Sequence, residues 1–191
     1  VSAGAITSLI LCYSVNGYGT PEYFFNNNVQ PLIVNTQNKM FGAFFSMSGQ
    51  IWKCAKQVYE ECPEESKVAN YKLHIIVTKL PYREKITLTN FICADNLADA
   101  VMCSSLMPGL YYKPYMTCQG ISMCCDGEFC KKLPFRFNDS KAIYFTYKDK
   151  NVSEDACDND VKQIHIDKWR NYPSSYSWIW GDPEWTQDRK S

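Results

Sequence analysis

The chain has 191 residues, 46% of them hydrophobic and 21% charged, a composition that suits one globular domain and excludes disordered and fibrous classes. Twenty basic residues offset twenty acidic ones, and no basic stripe runs along the chain, so nucleic acid is excluded as a partner. The ten cysteines, at 12, 54, 62, 93, 103, 118, 124, 125, 130 and 157, form no C-x-x-C pair and read as mostly free, buried thiols.

Residues Ala3 to Val15 read as a mostly buried helix, opened by small residues and stopped by Asn16-Gly17. The Gly-, Pro- and Asn-rich stretch 16–39 reads as a long connection with some helix in it. Met40 to Cys62 is a second helix, with Phe44, Met47, Ile51, Ala55 and Val58 recurring every three or four residues. Tyr71 to Thr78 is the clearest strand, rich in β-branched residues and followed by Pro81. Residues 84–93 alternate as a further strand. Asn96 to Ser105 reads as a short helix with Asp95 or Asn96 as its N-cap, ending before Pro108-Gly109. Gly120 to Cys124, Lys141 to Tyr147 and Val161 to Ile166 are short strands, with Asp126-Gly127 in a turn. The tail carries Trp178, Trp180 and Trp185 without a period. Interleaved helices and strands, with no repeat and no low-complexity linker, predict a single α/β layered domain over 1–191.

Ser2 stands between small residues at the start of a helix, in Val1-Ser2-Ala3-Gly4-Ala5. That is the right half of a nucleophile elbow: a sharp turn lifts the hydroxyl clear, and the helix N-terminus stabilises developing negative charge. An ordinary N-cap serine would look the same. The start has neither an initiator Met nor a basic leader segment, and its longest apolar run is too short to cross a bilayer.

The segment A-D-A-V-M-C-S-S-L-M-P-G-L-Y-Y-K-P, Ala98 to Pro114, and the block G-I-S-M-C-C-D-G-E-F-C-K-K-L-P, Gly120 to Pro134, resemble in order and spacing the A-S-x-x-x-P and D-G-G segments of the patatin family. The upstream K-L-H-I-I-V-T-K-L resembles that family's strand ending in Thr, and Ser2-Ala3-Gly4 the second half of its G-x-S-x-G. The resemblance is clearest in 1–20 and 73–134. It implies a three-layer α/β/α sandwich, here without its first strand or strands, as an N-terminally truncated fragment beginning at the elbow would be. The family's oxyanion loop would precede Val1.

The activity implied is that of a lipid acyl hydrolase, a phospholipase or esterase, with Ser2 as nucleophile and Asp126 as general base, flanked by the motif residues Ala3, Gly4 and Gly127. No metal or other cofactor is implied. The partner would be a lipid at a membrane or droplet interface, and the location cytoplasmic, at the periphery of membranes. Lys131, Lys132 and Arg136 would meet an anionic head group. Glu128 and Lys132 depart from the family's pattern, where a second small residue and an Asn are usual. Three other readings stand beside this one: a catalytically silent patatin-shaped protein, a Ser–His–Asp hydrolase using His165 in the chain order Ser2, Asp126, His165, and a cysteine-rich extracellular binding module.

Overall fold

The helix that follows Ser2 forms where the small residues of its first turn and the Asn16-Gly17 stop predict it. In the computed structural model, which describes residues 2–37, 43–61 and 73–130 and the strands at 142–146 and 161–165, α1 spans Ala3–Val15. Ala5, Leu9 and Tyr13, one turn apart, are buried on one face, with Ile10 beside them. Leu11 and Val15 stand 43% and 81% exposed, so α1 is buried on one face only.

The expected connection at 16–39 is largely helical instead. Thr20 caps a helix with its side chain, accepting from the Tyr23 amide, and Pro21 takes the first helical position, where its missing N–H costs nothing. Helix α2 (Pro21–Phe24) runs through a π-helical turn, Phe25–Val29, into α3 (Gln30–Gln37). Phe24 is fully buried and meets Tyr13 edge to face, with centroids 6.2 Å apart. Helix α4 (Ala43–Glu61) buries Ile51, Cys54, Ala55 and Val58. It lies against α5 (Ala94–Ser104), to which the Trp52 indole N–H ties it by donating to Asp99 at 2.8 Å. The residue at the N-cap position of α5 is Cys93, in extended conformation and without a side-chain cap, rather than Asp95 or Asn96.

Four strands form one antiparallel sheet, in the order β2-β1-β4-β3, from β1 (Ile75–Lys79), β2 (Glu84–Leu88), β3 (Met116–Cys118) and β4 (Ile121–Asp126). β2 stops short of residue 93, and Asn90 beyond it has φ 58°. β3 and β4 join through Gln119-Gly120, both at positive φ, as a two-residue hairpin turn requires. The register of β1 on β4 sets Val77 opposite Asp126 and Thr78 opposite Cys125. Helix α5 packs on β1, β3 and β4 as well as on α4, and Leu97, Ala98 and Val101 are among its buried residues.

The described residues from Ser2 to Cys130 belong to one compact unit, and β5 (Ala142–Thr146) and β6 (Val161–His165), paired in parallel, belong to a second. The described residues thus show a small mixed α/β fold built on an antiparallel sheet.

Candidate active site

Ser2 occupies the N-cap position of α1 but makes no side-chain cap bond. Its backbone has φ 52° and ψ −139°, a region sparsely visited by non-glycine residues. Holding it there costs on the order of 1–3 kcal/mol. An N-cap serine normally has extended backbone and turns its oxygen onto an amide of the first turn. Here the hydroxyl donates instead to Asp126 Oδ2 at 2.8 Å, inside the roughly 2.6–3.2 Å reach that proton transfer requires. The two residues are 124 positions apart in sequence and meet with no ring between them.

Asp126 ends β4 and is 0% exposed. Its backbone is held from both sides: the amide donates to the Leu106 carbonyl at 2.9 Å, and its carbonyl accepts the Thr78 hydroxyl at 2.8 Å. Its other carboxylate oxygen, Oδ1, accepts the Glu128 amide at 2.8 Å as the chain enters a 3-10 turn, Gly127–Phe129. Burial pushes the Asp126 carboxyl above the ordinary carboxylate range, against the opposing pull of the Glu128 amide and the Ser2 hydroxyl. A base shifted toward neutral pH is better matched to take a proton from an alcohol.

Ser104, the last residue of α5, and Leu106 just beyond it each hold one half of the pair. The Ser2 amide donates to the Ser104 carbonyl at 3.0 Å and to its hydroxyl at 3.1 Å, while Leu106 holds Asp126. Thr78 and Ser104 are fully buried polar residues that the single-residue signals did not single out. Their sequence signals were the Thr within the K-L-H-I-I-V-T-K-L strand and the paired serines before Pro108. Tyr111, in the loop that follows, is 8% exposed, and its phenol is pushed up to about 12 by burial and by the Asp126 carboxylate.

Among the motif residues, Ala3 is the first residue of α1 and Gly4 is exposed beside it. A Cβ on Gly4 would meet nothing within 4 Å among the described residues, so packing there does not demand glycine. Gly127 is buried in the turn after Asp126, and Glu128 points outward. Lys131, Lys132 and Arg136 lie outside the described residues. His165 ends β6 in the second unit.

Among the described residues, Cys54, Cys93, Cys103, Cys118, Cys124 and Cys125 are free thiols, and all of these but Cys93 are buried. Cys103, Cys118 and Cys124 come together in the core, where a hydrogen bond to Cys118 and then burial raise the Cys103 thiol. Among the described residues, no group of three or more His, Cys, Asp or Glu side chains is arranged to hold a metal ion. No described helix is long and apolar enough to cross a membrane.

No family model matches the chain, and no solved structure matches it. Its sequence is similar to that of the omega-hydroxyceramide transacylase of Homo sapiens, 27% identical over 171 residues. The match covers 87% of this chain and 30% of that protein, so the chain spans less than a third of the relative's length.

Proposed function

We propose that this chain is a serine-dependent lipid acyl hydrolase of the patatin kind, with Ser2 as nucleophile and Asp126 as general base. The observation that carries the reading is the 2.8 Å bond from the Ser2 hydroxyl to a buried carboxylate, made by a serine in a strained backbone conformation at a helix start. Asp126 takes the hydroxyl proton as Ser2 Oγ bonds to the ester carbonyl carbon. The tetrahedral species collapses, the alcohol leaves with the proton from Asp126, and an acyl-enzyme remains. Water, deprotonated by the same carboxylate, then adds to the acyl carbonyl, and the fatty acid leaves as the Ser2 Oγ–acyl bond breaks and Oγ regains the proton from Asp126. The architecture that fits this chemistry is the patatin family's three-layer sandwich, taken as one domain over 1–191. Lys131, Lys132 and Arg136 would face an anionic head group at a cytoplasmic membrane or droplet surface.

A second reading concerns the acceptor, and the similarity to a transacylase favours it. An acyl-enzyme shielded from water passes its acyl group to a lipid hydroxyl, with Asp126 taking the proton of that hydroxyl instead. Both readings share the first step. A fluorophosphonate probe tests it: labelling is expected in the wild type and absent in Ser2→Ala. Equal labelling of the two contradicts the nucleophile assignment, and an unlabelled wild type leaves a silent, patatin-shaped interaction protein. Supplying a long-chain alcohol beside the ester then separates hydrolase from transferase by the ratio of free acid to new ester.

A further inference from the structure

Ser104 takes no part in the acyl-transfer scheme, yet it joins three elements at the nucleophile. It is the last residue of α5 and is 0% exposed. Its hydroxyl donates to the Ile76 carbonyl of β1 at 2.7 Å and accepts the Ser2 amide at 3.1 Å. A serine hydroxyl has one proton and two lone pairs, so committing the proton to Ile76 fixes the oxygen as the acceptor for Ser2. The neighbouring Ser105 is also buried, but its hydroxyl bonds back to Val101 within its own helix. Ile76 directly precedes Val77, the residue registered opposite Asp126. One relay therefore links the backbone of Ser2 to the strand that sets the height of its base.

We propose that Ser104 is a positioning residue, holding the strained Ser2 backbone so that its hydroxyl stays on Asp126, through the chain Ser2 N–H to Ser104 Oγ–H to the Ile76 carbonyl. The proposal rests on Ser2 being the nucleophile. Ser104→Ala removes the relay but leaves the Ser104 carbonyl as a partner for the Ser2 amide, so Ser2 loosens rather than detaches. Misplacement of a reacting group by about 1 Å can cost about 100-fold in rate.

The test compares Ser104→Ala with Ser105→Ala in the whole chain, using p-nitrophenyl butyrate and thermal melts in parallel. Ser104→Ala is expected to lower kcat by about 10- to 100-fold with KM changed by less than about twofold, because binding is untouched. Ser105→Ala is expected to keep the wild-type kcat. An unchanged kcat in Ser104→Ala overturns the proposal, as do equal losses in the two variants that follow their melting temperatures. If the wild type neither turns over nor reacts with a fluorophosphonate, the nucleophile reading has failed, and amide exchange decides the relay by itself. The Ser2 amide, followed by NMR, should then exchange about tenfold faster in Ser104→Ala than in Ser105→Ala. Equal rates show that the relay holds nothing.

Discussion

Ser2 and Asp126 differ in what the surrounding protein does to each. The serine is partly exposed and backbone-strained, while the aspartate is buried and hydrogen-bonded on both oxygens. Replacing Asp126 by Asn keeps the shape and the acceptor for the Glu128 amide, but leaves no base for the Ser2 proton. Such a change is expected to lower kcat/KM by at least about 10²–10⁴-fold, the usual contribution of a general base. The wild-type rate should also lose activity toward acid pH, because the base must be ionised. Burial raises the Asp126 carboxyl, so the acid limb of kcat/KM is expected above about 3.9, the value of an unperturbed aspartate. A limb at or below that value would contradict either the burial or the assignment of Asp126 as base. The sequence pointed to both members of the hydrogen-bonded pair, Asp126 through the block around it and Ser2 only with help from that block. It could not show the backbone strain at Ser2, whose amide is bonded to Ser104, 102 residues away, rather than to a local partner.

Helix α1 carries Ser2 at its N-cap position, so the docking of this element decides whether the hydroxyl reaches Asp126. Leu9 is fully buried while Leu11, two residues on, is 43% exposed. Leu9→Ala is expected to cost about 2–5 kcal/mol, the loss of burial plus the cavity left behind. Leu11→Ala should stay within about 0.5 kcal/mol. Urea denaturation checks both, read from midpoints at constant slope. The bounds of α1 were legible because small residues precede it and Asn16-Gly17 stops it. Its burial was not, since an almost unbroken apolar run has no period that marks one face. The helices from Pro21 to Gln37 were obscured by the Gly, Pro and Asn content around them, although Thr20-Pro21-Glu22 is itself a helix-start signal. The strands of the sheet could be seen one by one. Their order β2-β1-β4-β3 could not, because the pairing of β1 with β4 joins segments some forty-eight residues apart, as in Thr78 bonding to Asp126, and no local pattern encodes that register.

At the scale of the whole molecule, burial sorts the cysteines and sets a pH dependence for folding. Cys93 is the exposed thiol among those described, whereas burial pushes the thiols of Cys54 and Cys125 up to about 11. Reaction with Ellman's reagent under native conditions should therefore lose one fast thiol in Cys93→Ser, and a Cys54→Ser chain should show the wild-type fast phase. The second dependence comes from Asp126. Its folded-state carboxyl is raised above its unfolded value by burial, so the folded chain holds a proton there that the unfolded chain has already released. The stabilising contribution is complete below about pH 3.9, the unfolded value, and is lost as pH rises through the folded value. Above that, the folded chain carries a desolvated carboxylate. Asp126→Asn titrates nowhere, so its stability relative to wild type should improve as pH climbs through this window and level off above it. Each tenfold change in the acid constant is worth about 1.4 kcal/mol. Denaturation midpoints of both chains from about pH 3.5 to 8 check this. A difference that is flat with pH, or that falls as pH rises, would mean that Asp126 is not held in a desolvated site. The loss of activity in Asp126→Asn would then need an explanation other than the removal of a buried base. A gain in stability together with a loss of turnover is the pattern expected of a residue kept at a cost to folding for the sake of its chemistry.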